Sequence, residues 1–398
     1  MKIALISFHS LYQPGGVKRH ILGLHKEFKK RGIYSKIIAP RRKWREYYGK
    51  DVILLGTSFP LNFSGSQSDF DINFNPLAIE RVLRKEKFDI LHFHNFGFPS
   101  AFQILERSEI LNILTFHANI NGNTFFKRFP SFLYILNRIV QWKMHGVIGV
   151  APLNIKVFKN YKGPKAVIPN GIDLEEFNLQ VPKLKKFSKD KINLLFVGRI
   201  EKRKGLIYLL RAYKILTKNF SNLRLFVVGE GELKEECENY IKENNLKEIY
   251  FEGQITGRSL ASYYRSCDIF VSPAIFGESF GLVLLEAMAC GAPVVAFANE
   301  GYKLFLQNKK GGKFLAKNRN YKDLAKKIEI LIKNEGLRKK MSEWGVKEAE
   351  NYSWARIADQ VLDFYQKALE YKQKKESEAP FSLEKSIYKL LKKILKSS

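Results

Sequence analysis

Glu278 and Glu286 stand in the spacing Glu-x7-Glu within the stretch Ser272-Pro-Ala-Ile-Phe-Gly-Glu-Ser-Phe-Gly-Leu-Val-Leu-Leu-Glu-Ala-Met-Ala-Cys-Gly-Ala-Pro-Val-Val-Ala296. A carboxylate accepts hydrogen bonds from vicinal hydroxyls, the groups that sugars and riboses present. Glu286 falls in a helical segment that is otherwise apolar, Leu282 to Ala289, where a lone carboxylate is costly unless paired or hydrogen-bonded. Gly277 and Gly281 bracket Glu278, Ser279 and Phe280, so the backbone there can turn sharply and approach a ligand. The free amides at the start of the following helix favour a phosphate. The alternative is a structural pair, one Glu in a loop and one at a solvated helix edge. The Gly-Glu-Ser-Phe-Gly context favours a ligand site.

A cationic set complements these acids. Ile192-Asn-Leu-Leu-Phe-Val-Gly-Arg-Ile-Glu-Lys-Arg-Lys-Gly205 reads as strand, glycine turn and helix start. Arg199 offers a planar fork and Lys204 a point charge, and both suit a diphosphate. Lys202 and Arg203 read as a solvated basic loop. Pro14-Gly-Gly-Val-Lys-Arg-His20 repeats the logic after the first strand, with Gly16 opening a helix; the pattern is not Gly-x-Gly-x-x-Gly and gives no dinucleotide fingerprint. His92 and His94 share one face of the strand Asp89 to His94, but no third ligand at useful spacing accompanies them, which favours packing over metal. His117 ends the strand Ile113 to His117. Asp69 and Asp71 form an Asp-x-Asp in a stretch, 41 to 75, that reads as irregular loop, and a metal role there is disfavoured.

These groups need a scaffold, and 398 residues suffice for two domains with two cores. A hydrophobic content of 45% marks a globular chain, with no apolar run long enough to span a membrane. Met1 to Ser7 is a first strand rather than a signal peptide. Cys237, Cys267 and Cys290 are scattered, which implies neither disulfides nor zinc and fits a reducing compartment. The formal charge of +29 predicts attraction to polyanions: nucleic acid, an anionic membrane or phosphorylated small molecules. No zinc-finger spacing, RNA-recognition signature or helix-turn-helix pattern is present, so nucleic acid is not an expected partner. The repeated order of strand, glycine turn, helix and strand is that of doubly wound α/β units.

Taken together and in order, these motifs resemble the retaining glycosyltransferases of family 4, specifically the phosphatidylinositol mannosyltransferase branch. The resemblance covers about residues 1 to 371. It implies a GT-B fold, two Rossmann-like doubly wound domains facing a central cleft: an acceptor-side domain over 1–169 and a nucleotide-sugar-binding domain over 170–350. A helix over 351–371 crosses back to the first domain, and a basic tail occupies 372–398. It further implies that Glu278 binds sugar hydroxyls, Glu286 the ribose, and Arg199 with Lys204 the diphosphate. Gly16 contributes a backbone amide, the backbone around Ile255 meets the nucleobase, and His117 sits at the reacting sugar. Ser279, Phe280 and Gly281 complete the donor loop. No cofactor or metal is implied beyond the co-substrate, GDP-mannose or a UDP-sugar. The chain departs from the pattern at Asn299-Glu-Gly-Tyr-Lys-Leu304, which has a single glycine, and at Asp69 and Asp71, where phosphatidylinositol-specific enzymes carry basic residues. Lys18 and Arg19 offer an alternative contact for a phosphorylated acceptor.

Beyond the resemblance, Leu383, Ile387, Leu390, Leu391, Ile394 and Leu395 recur at helical spacing among Lys385, Lys389, Lys392, Lys393 and Lys396. Such a basic amphipathic helix lies in an anionic membrane surface or packs its stripe on the protein itself. Arg81, Arg84, Lys85 and Lys87 supply a second basic patch. The expected function is therefore transfer of a hexose to a membrane lipid or lipid-linked glycan, by an enzyme held peripherally on the cytoplasmic face of the cell membrane. The competing readings are a UDP-sugar transferase with a soluble or polysaccharide acceptor, and a non-catalytic GT-B protein that binds polyanions.

Overall fold

The computed structural model describes residues 1–12, 15–63, 66–96, 99–118, 130–187, 190–278 and 280–377. The first sheet contains β1 (Lys2–Ser7), β2 (Tyr34–Arg41), β3 (Val52–Phe63), β4 (Ser66–Ile72), β5 (Ile90–His94), β6 (Leu111–Phe116), β7 (Gly146–Gly149) and β8 (Lys165–Val167). Its order is β4-β3-β2-β1-β5-β6-β7-β8, parallel except for the β3–β4 hairpin. The second contains β9 (Ile192–Val197), β10 (Leu223–Val228), β11 (Ile249–Phe251), β12 (Ile269–Ser272), β13 (Val294–Phe297) and β14 (Leu315–Ala316), in the all-parallel order β11-β10-β9-β12-β13-β14.

Strands such as β13 (Val-Val-Ala-Phe) are wholly buried apolar runs because helices cover both faces of each sheet. On one face of the first sheet, Ile3 and Leu5 pack against Ile21, Leu24 and Phe28. On the other, Ala4 and Ile6 pack with Ile79, Ile104 and Val140. In both sheets the strand order reverses at the first strand. β1 lies between β2 and β5, and β9 between β10 and β12. A crevice opens outside the carboxyl ends of the strands at such a switch point. The Gly16 turn follows β1 and Arg199 follows β9, so the sequence places both at these crevices.

The chain crosses between the two sheets twice, and the crossings touch: Ile172 pairs with Ser353, and the Ile172 amide donates to the Tyr352 carbonyl at 2.8 Å. The helix Trp354–Ser377 then lies on the first sheet through Ile357, Val361 and Phe364, and runs past Tyr371 to Ser377. Trp354 fixes its start. A Cβ on Gly23, in the helix Gly16–Lys30, would overlap the Trp354 indole, so only glycine lets the ring seat there.

The structure departs from the sequence expectations in two stretches. The stretch 41–75 is mostly the β3–β4 hairpin rather than loop, with Thr57 opposite Ile72 and Phe63 opposite Ser66. Its Gly, Ser and Pro residues resemble turn signals, and cross-strand pairing overrides them. The Asp-x-Asp therefore lies in a strand, with Asp71 fully buried and accepting from Ser100 Oγ. Asn299 caps a helix, Glu300–Leu306, by accepting from the Tyr302 amide, where an irregular loop was expected. The membrane-tail residues Lys389, Lys392 and Lys393 lie outside the described residues.

Gly23→Ala is expected to lower the melting temperature, with a destabilisation of about 1–3 kcal/mol from overpacking against Trp354. An unchanged unfolding curve would show that the indole has room to move.

Candidate functional site

The donor lip is built on the turn after β9. Lys202–Lys204 forms a single 3-10 turn, and the loop after β12 folds over it. The result is an alternating chain of charges. Arg199 Nη1 lies 3.4 Å from Glu201 Oε2, and Arg203 Nη2 lies 2.8 Å from Glu201 Oε1. Arg203 Nη1 and Lys204 Nζ then meet Glu278 Oε1 at 3.1 and 2.7 Å. Three cations face two carboxylates, so the chain keeps an excess positive charge suited to an anion. Burial alone would push the Glu278 carboxyl up, but Lys204 and Arg203 outweigh it and hold it below the usual carboxylate range. Arg199 is the half-exposed end of the chain, at 51%, while Arg203 is sequestered at 17%. Arg203 was read as solvated loop. Its partner in Glu278 is 75 residues away, and no local spacing signals that contact.

The Glu278 loop ends at Gly281, whose φ of +102° starts the helix Leu282–Ala289. A Cβ there would meet the Tyr302 ring at 2.7 Å as well as strain the backbone. Phe280 is buried against Phe305 and Tyr352, with ring centroids at 4.9 and 5.4 Å, so it anchors the loop. Ser279 lies outside the described residues. Ile255 is partly buried in the loop between β11 and the helix Gly257–Ser266, against the core below the cleft. Gly16 opens its helix opposite this loop: a Cβ on it would lie 3.8 Å from Leu282 Cδ1. Two helix N-termini, one from each sheet, thus converge, and their unsatisfied amides and dipoles favour an anion between them.

Glu286 is held inside this apposition. Tyr264 donates to its Oε2 at 3.1 Å, and Arg19 Nη1 reaches its Oε1 from the other side of the cleft. Burial pushes the Glu286 carboxyl up, and Arg19 and Tyr264 offset that only in part.

A histidine cluster floors the first crevice. His20, His94 and His117 present ring nitrogens within 4.8 Å of one another. This corrects the expectation that His92 and His94 lack a third partner: the third and fourth imidazoles come from the Gly16–Lys30 helix and the end of β6. His92 itself is consumed by Tyr365 and Thr115, each at 2.6 Å. Asn170 takes His20 Nδ1 at 2.9 Å, and His94 Nδ1 lies 3.3 Å from His117 Nε2. Three imidazoles are a ligand set for a transition metal, although the cluster contains no carboxylate to balance a buried cation. Burial, with His20 and His92 beside it, holds His117 well below the usual imidazole range, so it is neutral at physiological pH. A neutral imidazole at a strand end can donate or accept one hydrogen bond to a hydroxyl.

Away from the cleft, Arg81, Arg84 and Lys85 are exposed on the helix Pro76–Glu86, and Lys87 is exposed at its end. No helix among the described residues is long and apolar enough to cross a membrane.

Two bodies, each built on a doubly wound sheet with its switch point at the cleft, make the GT-B architecture of glycosyltransferases. A model of Glycosyltransferase Family 4 matches residues 14–176, and one of Glycosyl transferases group 1 matches 179–348. The phosphatidyl-myo-inositol mannosyltransferase of Mycobacterium leprae is 30% identical over 375 residues, covering 92% of this chain and 96% of that protein. An uncharacterized glycosyltransferase of Methanocaldococcus jannaschii is 28% identical over 381 residues, covering 92% and 99%. Among solved structures, sucrose-phosphate synthase of Thermosynechococcus elongatus aligns with a TM-score of 0.73 at 20% identity, covering 92% and 99%. An Anabaena protein solved with UDP and glucose aligns with 0.68 at 18%, covering 92% and 99%. The chain belongs to glycosyltransferase family 4.

Glu286 allows a thermodynamic test. A folded carboxyl raised above its unfolded value costs stability once pH exceeds the unfolded value, and costs nothing when both states are protonated. Glu286→Gln is therefore expected to raise the melting temperature at neutral pH, with the gain vanishing as pH falls below the usual carboxylate range. A gain that persists at low pH would assign the effect to something other than the charge.

Proposed function

We propose that the chain is a retaining, metal-independent hexosyltransferase that moves a hexose, with mannose favoured, from a nucleotide sugar to a membrane lipid or lipid-linked glycan. The observation that supports this reading is the 2.7 Å contact between Lys204 and Glu278 at the switch point of the second sheet, a cation suited to a diphosphate beside a carboxylate suited to sugar hydroxyls. In this reading Arg199 and Lys204 stabilise the charge that grows on the leaving nucleoside diphosphate, the role that a metal fills elsewhere. The converging amides at Gly16 and Leu282 supplement them. Glu278 orients the sugar, Glu286 accepts from the ribose, and neutral His117 hydrogen-bonds the sugar from the acceptor side. Arg203 acts through Glu278, holding its carboxylate ionised and aimed. Closure of the two bodies excludes water and limits donor hydrolysis.

Mannose and a lipid acceptor are supported by the relatives named phosphatidyl-myo-inositol mannosyltransferase. GDP-mannose is the favoured donor, with a UDP-sugar the alternative, supported by the Anabaena structure with UDP and glucose. Asp71, which weighs against an inositol phospholipid in the sequence, is buried on Ser100 and so does not repel a phosphate at the surface. The decisive experiment screens radiolabelled nucleotide sugars against lipid extracts. Transfer to a lipid product is expected, undiminished by EDTA, and reduced about 10²- to 10³-fold by Arg199→Ala or Lys204→Ala, as for other charge-stabilising donors. Wild-type turnover in both variants would remove the phosphate assignment, and loss with EDTA that magnesium or manganese restores would remove metal independence.

The membrane part of the proposal rests on Arg81, Arg84, Lys85 and Lys87, together with Phe74 and Leu77, which are 73% and 67% exposed just before and within the first turn of that helix. The basic tail adds about 1 kcal/mol per lysine near an anionic surface. Salt-sensitive attachment at the cytoplasmic side of the membrane follows. Full-length protein is expected to sediment with anionic but not neutral liposomes, and a chain ending at Ala379 less so. Equal sedimentation of the two would remove the tail's role.

A further inference from the structure

We infer that Arg19 is a built-in competitor for the nucleotide's ribose, so that donor binding must break the one ion pair that joins Glu286 to the opposite half of the molecule. The inference rests on the reading above that Glu286 accepts from the ribose. Both oxygens of that carboxylate are engaged in this structure, Oε1 by Arg19 Nη1 and Oε2 by the Tyr264 hydroxyl. The ribose 2′- and 3′-hydroxyls need the same lone pairs. Tyr264 belongs to the same half as Glu286 and is fully buried, so it stays in place. Arg19 does not belong to that half. It sits in the first turn of the helix Gly16–Lys30, on the first sheet, and its side chain is 45% exposed against 4% for Glu286.

This asymmetry decides which partner moves. Glu286 is buried and fixed on its helix, whereas the half-exposed Arg19 side chain can swing outward into solvent. Glu176, at the end of the first crossing, also pulls on the guanidinium and offers it a second carboxylate to approach. The exchange is close to balanced: a charge-assisted bond from Arg19 is traded for hydrogen bonds from two hydroxyls to the same ionised acceptor. A ligand that lacks those hydroxyls cannot make the trade. Arg19 therefore keeps a buried carboxylate satisfied while the site is vacant, and weakens the binding of every ribonucleotide that must displace it. It also makes ribose a requirement rather than a bonus, because a deoxy-ligand would leave Glu286 without its replacement donors. Since the bond spans the cleft, its release by the ribose frees the two halves to adjust around the donor.

The test measures binding of GDP and UDP to the full chain by calorimetry, alongside their 2′,3′-dideoxy counterparts. Arg19→Ala is expected to tighten the better-bound ribonucleotide about tenfold, the factor that corresponds to one charge-assisted hydrogen bond removed from the competing state. Arg19→Lys, which can still pair with Glu286, is expected to stay near wild type. The dideoxy nucleotide is expected to gain little in either variant. Weaker binding to Arg19→Ala would make Arg19 a ligand of the donor and overturn the inference. Equal affinity, or an equal gain with the dideoxy nucleotide, would overturn it as well. Those outcomes leave the nucleotide site standing. Failure of the wild type and the variants to bind any nucleotide would instead overturn the site and the inference together.

Discussion

An ionised carboxylate inside an apolar helix must find its partners on other elements, and in this chain that requirement draws three of them together. The helix Leu282–Ala289 has apolar neighbours on every side of Glu286, so none of its own side chains can serve. Tyr264 comes from the preceding helix, and Arg19 from the body that carries the first sheet. Burying a charge costs several kcal/mol when it is unpaired. Arg19 offsets part of that cost from the opposite body while the site is vacant. The same carboxylate that destabilises the isolated second body gives the first one a reason to dock.

The remainder of the site follows an opposite logic. Along Arg199, Glu201, Arg203, Glu278 and Lys204, each carboxylate is flanked by cations, so nothing is left unbalanced except the surplus positive charge at the mouth. Such a chain is stiff, because moving one member breaks contacts on both sides. A stiff array aimed at a phosphate costs no reorganisation when charge develops there. Glu286 thus depends on one partner from across the cleft, whereas Glu278 is held wholly by cations of its own body.

The legibility of this arrangement in the sequence depended on range. The strand-turn-helix units around Gly16, Arg199 and Glu278 were readable because hydrophobic runs, glycine turns and helix starts are local signals. The order of those units predicted two doubly wound sheets. The β3–β4 hairpin was not readable, since its Gly56, Ser58 and Pro60 look like loop and only pairing with β2 makes them strand. Arg203, His20 and Arg19 were missed as partners for a similar reason. Their contacts, with Glu278, Asn170 and Glu286, span 75, 150 and 267 residues. A basic residue in a turn looks solvated until its acceptor arrives from elsewhere. His94 was seen on the correct face of its strand, but its companions arrive only when β6 and the first helix pack beside it.

The two crossings between the sheets bear on how the cleft can move. Ile172 and Ser353 pair as a short bridge, so the chain passes between bodies at one place rather than two. Trp354 seats against Gly23 beside that bridge, and His20 stacks edge-on to the indole with centroids at 5.3 Å. His20 is one helical turn from Gly23, and Arg19 is its neighbour in the chain. The helix that bears Arg19 is accordingly pinned at the crossing and exposed at its N-terminus, where Gly16 faces Leu282. A rotation about the crossing moves Gly16 and Arg19 away from Leu282 and Glu286 together, while the Trp354 contact stays close to the axis. The helix is thus anchored at the crossing and carries Gly16 and Arg19 to the cleft as one unit, so the Gly16–Leu282 apposition and the Arg19–Glu286 pair are coupled.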